Sequence, residues 1–336
     1  MEYSIVIPTY RRGEPLHDCL QSICDLDYPK DRLEVIIVDN GGAQHTRAAA
    51  QPFMDRLAVR YLVNAVNRGY GFSVNRGIVE SVGERILLLN DDARPAPDLL
   101  QQCDRLLSSD PSIGCVGCRA IEADYPRSND GIGLISTSGE VVANFDRDCG
   151  EPIEVEHVYG FCYVFTREAV RRAGVCDRTL LAKPYSSGNR IETDHCLSIR
   201  RHGLTVVYDP RMVAVHLAKP RPDMSEVSLR WKRNAIRNTI YLYLKHYGVL
   251  GKGGAALRLT FLVDVGLLSA LRRPTRANVT YFLHGVISRL SAYGHYAMYR
   301  FRPNIDTAAA VRAALAADER QTPTSDALEF TGVRGR

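Results

Sequence analysis

No G-x-G-x-x-G turn follows the first apolar run of this chain, so the glycine loop on which dinucleotide-binding sheets hold a pyrophosphate is missing. No secretory leader opens it either, because Met1 leads straight into the strand-like Tyr3-Ser4-Ile5-Val6-Ile7. Without an export signal, the nine cysteines are expected to be reduced thiols in the cytoplasm. Cys115 and Cys118 have zinc-ligand spacing, but no second pair follows, so a buried strand end fits them better. No internal repeat is visible. The longest apolar stretch, Ala255–Leu271, is interrupted by Arg258 and Asp264 and falls short of a membrane span. It suits a helix lying in an interface, or one buried in a core.

Acidic side chains are scarce in one region only. Residues 217–316 carry 16 basic and 4 acidic side chains, against 24 basic and 30 acidic in residues 1–216. A neutral-to-acidic body followed by a basic segment points to an anionic membrane surface as partner, with no call for a nucleic acid. At 336 residues the chain can bury a large core as one big domain or two modest ones.

The first half alternates strand and helix patterns. Strands are expected at Ser4–Pro8, Leu33–Val38, Val59–Val63 and Ile86–Leu89, with helices near Pro15–Cys24 and Phe72–Val82. Repeated βα units predict an α/β fold with a doubly wound, mostly parallel sheet. From about 113 onward the pattern loosens. Val155–Thr166, Thr205–Tyr208 and Met212–His216 have strand character, and Arg167–Ala173 and Arg190–His202 have helical spacing. Lys219-Pro220-Arg221-Pro222-Asp223 is expected to be a linker. Helices are expected over Ser228–Tyr247, Ala255–Leu271 and Ala277–Tyr293, and the polar residues 317–336 are expected to be disordered.

The most informative residues are Asp91 and Asp92, which follow the run Arg85-Ile86-Leu87-Leu88-Leu89-Asn90. A run of that kind predicts a strand covered on both faces, which Pro95 and Pro97 then stop. Carboxylates at the carboxyl end of such a strand sit where open α/β sheets bind ligands. They suit Mg²⁺ or Mn²⁺ together with phosphate oxygens of a substrate. The competing reading is a turn that caps the next helix.

Five segments in order resemble family 2 glycosyltransferases, which are inverting enzymes of the glycosyltransferase-A fold. They are Ser4-Ile5-Val6-Ile7-Pro8-Thr9-Tyr10, Val38-Asp39-Asn40, Asn67-Arg68-Gly69 with Asn75-Arg76-Gly77, Leu89-Asn90-Asp91-Asp92 and Glu192-Thr193-Asp194. Arg233-Asn234 and Lys245-His246-Tyr247 extend the likeness to the helical region that follows the catalytic domain in bacterial members, rhamnosyltransferases among them. The resemblance implies a nucleotide-sugar-binding catalytic domain over 1–216 and a basic, membrane-associating helical region over 217–316. It places Pro8, Thr9, Tyr10, Asp39, Asn67, Gly69, Asn75, Arg76 and Asp91 around the donor. Asp92 and His216 would hold the metal, and Gly160, Phe161 and Cys162 would line the acceptor site.

The chain departs from the family at the base. Members usually read Glu-Asp-x-Asp, whereas here Ile191 replaces the glutamate and Glu192 stands where the catalytic aspartate would be. Glu192 is therefore the expected base, with Asp194 as the competitor. The implied donor is a nucleotide-diphosphate sugar, such as dTDP-rhamnose or a UDP-hexose. The implied acceptor is a glycan or polyprenyl-linked precursor at the inner face of the cell membrane. A sugar-nucleotide nucleotidyltransferase would need a glycine-rich phosphate loop, but Pro8-Thr9-Tyr10-Arg11-Arg12-Gly13 has one glycine. A non-catalytic membrane-docking protein would need neither Asp92 nor Glu192.

Overall fold

The computed structural model describes residues 1–122, 131–177, 179–180, 189–217, 225–261, 267–301 and 312. The first half runs β1 (Tyr3–Thr9), α1 (Gly13–Cys24), β2 (Leu33–Asn40), α2 (Gln44–Ala50), β3 (Val59–Asn64), α3 (Tyr70–Glu80) and β4 (Arg85–Leu89). Then come β5 (Ala93–Pro95), α4 (Leu99–Ser109), β6 (Ile113–Ile121), β7 (Leu134–Ile135), β8 (Val141–Val142) and β9 (Ile153–Glu154). The sheet-forming part closes with β10 (Cys162–Thr166), α5 (Arg167–Ala173), α6 (Ile191–Arg201) and β11 (Thr205–His216). Four helices follow: α7 (Ser225–Tyr247), α8 (Gly251–Phe261), α9 (Leu267–Arg272) and α10 (Arg276–Phe301).

The main sheet has the order β3-β2-β1-β4-β10-β6-β11-β5, with β9 added beside β11. Strands β3, β2, β1 and β4 are parallel, and β10 runs antiparallel between β4 and β6. Successive strand side chains point to opposite faces, so an unbroken apolar run must be covered on both. Val6, Ile36, Ile86 and Leu88 enter one core, whereas Ile5, Ile7, Val35, Ile37, Leu87 and Leu89 enter the other. Helices α1 and α4 cover the second face with Leu16, Leu20, Ile23, Leu99, Leu100 and Leu106. The first face is covered by α3 and α6, joined by Ile240–Leu244 of α7. The basic helical region expected from 217 onward thus contributes to the same core as the sheet.

Several expectations need correction. The strand expected over Val155–Thr166 begins only at Cys162; upstream of it, Val155 and Val158 pack on one face of the sheet, Val158 directly over Gly117 of β6. Thr205–His216 is one strand, not two. Its register against β6 slips between Asp209 and Val213, where the Asp209 carboxylate accepts from the Arg211 backbone and guanidinium. Helix α4 went unread behind Pro95 and Pro97. Cys115 and Cys118 lie three apart on β6, face opposite cores and are free thiols, so they share no metal. The linker 219–223, the tail 317–336 and the middle of the Ala255–Leu271 stretch lie outside the described residues.

Gly77 lets α3 sit directly on β1: a Cβ there would lie 2.2 Å from Val6 Cγ1, deep in the core. Gly77→Ala should therefore destabilise the protein by about 1–3 kcal/mol despite alanine's better helix propensity. Urea unfolding of the two proteins checks this, and equal midpoints would contradict the packing.

Candidate active site

The chain passes from β1 outward to β2 and β3, then returns to the other side of β1 with β4. That reversal opens a crevice at the carboxyl ends of β1 and β4. Thr9, the last residue of β1, pairs in register with Asp39 of β2, and Asn90-Asp91-Asp92 emerges alongside. Thr9 Oγ1 donates to Asp91 Oδ2 at 2.7 Å. Arg12 forks across both aspartates, with one guanidinium nitrogen 2.8 Å from Asp91 and the other 2.9 Å from Asp92. Burial opposes the ionisation of Asp92, but the His216 imidazole and the Arg12 guanidinium outweigh it and bring its pKa down to about 2.

His216 ends β11 and lies beside β5, with its Nε2 3.6 Å from Asp92 Oδ1. That oxygen is buried and accepts no hydrogen bond from the described residues. An unsatisfied carboxylate oxygen facing an imidazole nitrogen fits a divalent cation that takes its remaining ligands from phosphate and water. Among the described residues no three His, Cys, Asp or Glu side chains form a cage of their own. The donor set therefore suits an ion carried with a phosphate ligand better than a tightly held structural metal.

The other end of the crevice is walled by β2. Asp39 Oδ2 accepts from Tyr61 Oη at 2.7 Å and Oδ1 from the Gly42 backbone at 3.2 Å. Burial still raises the Asp39 pKa, against the pull of these bonds. Tyr10 lies against Gly41, where a Cβ would come within 3.1 Å of the ring, and Pro8 is buried inside β1. Asn67 Oδ1 accepts from Asn40 Nδ2 and from the Gly69 backbone at 2.9 Å. This turn holds Gly69 at φ 88°, a conformation glycine adopts without strain, just before α3 begins.

Two expected donor residues are engaged by groups of the protein itself. Asn75 is buried, and its amide exchanges two hydrogen bonds, 2.8 and 3.0 Å, with the backbone of Cys176. Arg76 donates to the Val63 carbonyl and to Asn64 Oδ1, both at 2.7 Å. Both side chains tie α3 to its neighbours through these bonds.

Glu192 and Asp194 part at the start of α6. Glu192 turns toward Gly160, where a Cβ would lie 3.0 Å from its carboxyl carbon and from Oε2. Among the described residues its carboxylate bonds no other side chain, and burial raises its pKa against the opposing effects of its own backbone N–H and Arg190. Asp194 is fully committed: it accepts from Lys245 Nζ at 2.8 Å and from His246 Nε2 at 2.7 Å. Lys245 also donates to Asp177, which Tyr241 Oη bonds as well. Burial opposes the Asp194 charge, but Lys245 and His246 prevail and hold its carboxyl well below the usual range.

Of the expected acceptor turn, only Gly160 faces this carboxylate. Phe161 is buried against His216, their ring centroids 4.7 Å apart, and its carbonyl accepts from the Asn90 backbone at 2.8 Å. Cys162 is buried in β10, and its carbonyl accepts from Cys118 Sγ. Sequence reasoning passed over Arg12, Tyr70, Tyr159 and Glu122. Tyr70 Oη bonds Asn90 Oδ1 at 3.0 Å and reaches the Gly160 carbonyl at 3.4 Å, bridging the aspartate turn to the Glu192 side. A cation three residues after a strand end was a usable signal for Arg12. The other three depend on contacts distant in sequence.

The family model for glycosyl transferase family 2 matches residues 4–174, slightly more than half of the chain. The chain belongs to this family. Glycosyltransferase AglE of Haloferax volcanii is 31% identical over 126 residues, which cover 37% of this chain and 40% of that protein. The match thus spans less than half the length of that curated relative. Among solved structures, Staphylococcus aureus TarS 1–349 in complex with UDP-GlcNAc superposes with a TM-score of 0.59 at 13% identity, covering 95% of this chain and 90% of that one. Mannosyltransferase PcManGT from Pyrobaculum calidifontis, in complex with GDP-Man and Mn²⁺, gives 0.55 at 19% identity, covering 88% and 87%. At these identities the likeness establishes the glycosyltransferase-A fold.

In this family 2 chain the Asp194 network predicts a separation of stability from chemistry. Asp194→Asn removes the counter-charge of a buried cation and should cost about 3 kcal/mol, the low end for such a pair because Asp177 still faces Lys245. A carboxyl whose folded pKa is depressed stabilises above its unfolded pKa, and that stability is lost as pH falls through the folded value. The difference between wild type and Asp194→Asn should therefore be full at pH 7 and shrink below about pH 4. Urea titrations at both pH values measure it; a constant difference would contradict the ion-pair account.

Proposed function

We propose that this protein transfers a sugar, with inversion, from a nucleotide-diphosphate donor to an acceptor hydroxyl. The observation that carries the reading is the pairing of two carboxylates across one crevice. Asp92 is held ionised beside His216 and Arg12, and Glu192, whose carboxylate bonds no other described side chain, lies beside Gly160 with Tyr70 between them. Thr9, Tyr10, Asp39, Asn67, Gly69 and Asp91 form the donor end, and the Gly160 backbone borders the acceptor end. A dTDP-rhamnose or UDP-hexose donor fits this reading. UDP-GlcNAc in the TarS complex and GDP-Man in the PcManGT complex are donors of the same chemical class.

In the proposed step the Glu192 carboxylate takes the proton of the acceptor hydroxyl as its oxygen bonds the anomeric carbon. The bond from that carbon to the β-phosphate breaks, and its electron pair leaves with the nucleoside diphosphate. Asp92 and His216 would hold Mg²⁺ or Mn²⁺, whose positive charge neutralises the leaving diphosphate. Arg12 supplies a second positive charge at the same place. Asp194 takes no proton here, because its carboxylate is occupied by α7.

Acceptor-dependent nucleotide release tests the reading. Positioned base catalysis contributes roughly 10²–10⁴-fold, so Glu192→Gln should lose rate on that order with donor affinity nearly unchanged. Glu192→Asp should retain part of the activity. Because burial raises the Glu192 pKa, the wild-type rate should fall in acid at a pH above the ordinary carboxylate range, and the glutamine variant should lack that limb. Asp92→Asn should abolish turnover, as should excess EDTA. Full activity of Glu192→Gln beside a dead Asp194→Asn would reverse the assignment of the base.

We further propose that the C-terminal helices dock on the anionic inner face of the cell membrane, which suits a polyprenyl-linked or other cell-surface glycan acceptor. No helix among the described residues is long and apolar enough to cross a membrane. What supports docking is α10, where Val279, Leu283, Ile287, Leu290, Met298 and Phe301 are exposed at helical spacing. Exposed Arg272, Arg273 and Arg276 stand at the amino end of that apolar stripe, and Arg300 at its other end. Such a helix binds lipid through both its apolar area and its charge. Binding to anionic vesicles should weaken as salt rises, since exposed charges are screened over about 8 Å at physiological ionic strength. Ile287→Glu with Leu290→Glu should release the protein even at low salt, and Arg272→Glu with Arg273→Glu and Arg276→Glu should weaken binding. Vesicle co-sedimentation reads all three; no binding by wild type would discard the proposal.

A further inference from the structure

We propose that Glu122, helped by Tyr159, is a positioning residue that presents His216 Nε2 to the divalent cation shared with Asp92. The inference rests on the metal-assisted reading above and extends it to side chains that no motif contains. The strand register generates the arrangement. Ile121 of β6 pairs with Val215 of β11, so Glu122 and His216 leave the sheet together on adjacent strands. On the other side of β11, His216 pairs with Ala93 of β5, and this brings Asp92 to the imidazole.

Glu122 Oε2 lies 3.2 Å from His216 Nδ1 and accepts from Tyr159 Oη at 3.1 Å, while Tyr159 Oη lies 3.3 Å from Nδ1. An ionised carboxylate only accepts hydrogen bonds, so Nδ1 carries the hydrogen, and in the neutral ring that can ligate a cation the lone pair lies on Nε2. The ring is also walled in: Phe161 lies 4.7 Å away at 31° and Tyr159 5.6 Å away at 86°, centroid to centroid. Its freedom to turn is small, and Nε2 points toward the unsatisfied Asp92 Oδ1 at 3.6 Å. An ion about 2.1 Å from each of two ligands fits between atoms up to roughly 4 Å apart, so this gap can hold one. A carboxylate on the far nitrogen of a ligating histidine fixes both its tautomer and its direction and strengthens it as a donor. A merely structural Glu122–His216 pair would hold the strand ends together without affecting affinity for a cation.

The test is Mn²⁺ binding to the full chain without donor or acceptor, read by loss of the free-ion signal in electron paramagnetic resonance. Thermal unfolding is recorded beside it. Wild type is expected to bind and Asp92→Asn to lose binding. Glu122→Ala should weaken Mn²⁺ affinity about 10–100-fold, the usual cost of removing such an outer partner. Glu122→Gln, whose amide oxygen still accepts from Nδ1, should lose less, and Tyr159→Phe less again. A folded Glu122→Ala protein that binds Mn²⁺ as tightly as wild type overturns the proposal. If that variant does not fold, Glu122→Gln decides, and unchanged affinity there overturns it as well. Absence of Mn²⁺ binding by wild type with UDP present as well as without it, or wild-type affinity in Asp92→Asn, would instead bring down the metal-assisted reading on which the proposal stands.

Discussion

The interior of a sheet covered on both faces accepts almost nothing but apolar side chains, and this chain is organised by that constraint. Strands β1, β2 and β4 give alternate residues to two cores, so their charged neighbours collect where the strands end. Thr9, Asp39, Asp91 and Asp92 come together because β1, β2 and β4 run parallel and end at the same edge of the sheet. Concentrating carboxylates is unfavourable unless cations accompany them. Arg12 and His216 do so here, one from the loop after β1 and the other from the last residue of β11.

Much of this was legible in the sequence, because local signals and strand ends coincide. The apolar run before Asn90-Asp91-Asp92 marked a buried strand, and its carboxyl end marked a ligand site before any fold was known. Glu192 stood at the position of the family's base, and two positions along a helix turn side chains in different directions, so only one of Glu192 and Asp194 was expected to face an acceptor. Less legible were roles set by distant partners. Asn75 looks like a ligand residue, but its amide matches a backbone donor and acceptor at Cys176, about a hundred residues away. Arg76 was likewise taken by the end of β3. Glu122 had no motif at all, since only the pairing of β6 with β11 brings it to His216. The single strand over Thr205–His216 resembled two strands because Asp209, Pro210 and Arg211 interrupt its apolar alternation at the register slip.

The same distance effect governs α6. Its first turn carries the proposed base, yet little holding that turn is local: Arg190 bonds Thr239, Asn238 bonds the Asn189 carbonyl, and Lys245 and His246 grip Asp194. The helix that follows the sheet thus fixes the geometry of a site to which it contributes no reacting group. The charges of the C-terminal helices are divided accordingly, with Lys245 buried against carboxylates and Arg272, Arg273, Arg276 and Arg300 exposed.

Lys245 serves two acidic side chains at once, Asp177 and Asp194, and all three are buried. A chain cut after His216 would leave both carboxylates without their cation and uncover the cleft that Ile240, Tyr241, Leu242, Tyr243 and Leu244 now fill. Such a fragment would hold every residue proposed here for chemistry and still be a poor candidate for expression alone. Grafting the sheet onto a foreign C-terminal segment would meet the same difficulty, unless the replacement brought an ammonium group to the same point. A boundary drawn after His216 therefore divides a core that the sheet and α7 share.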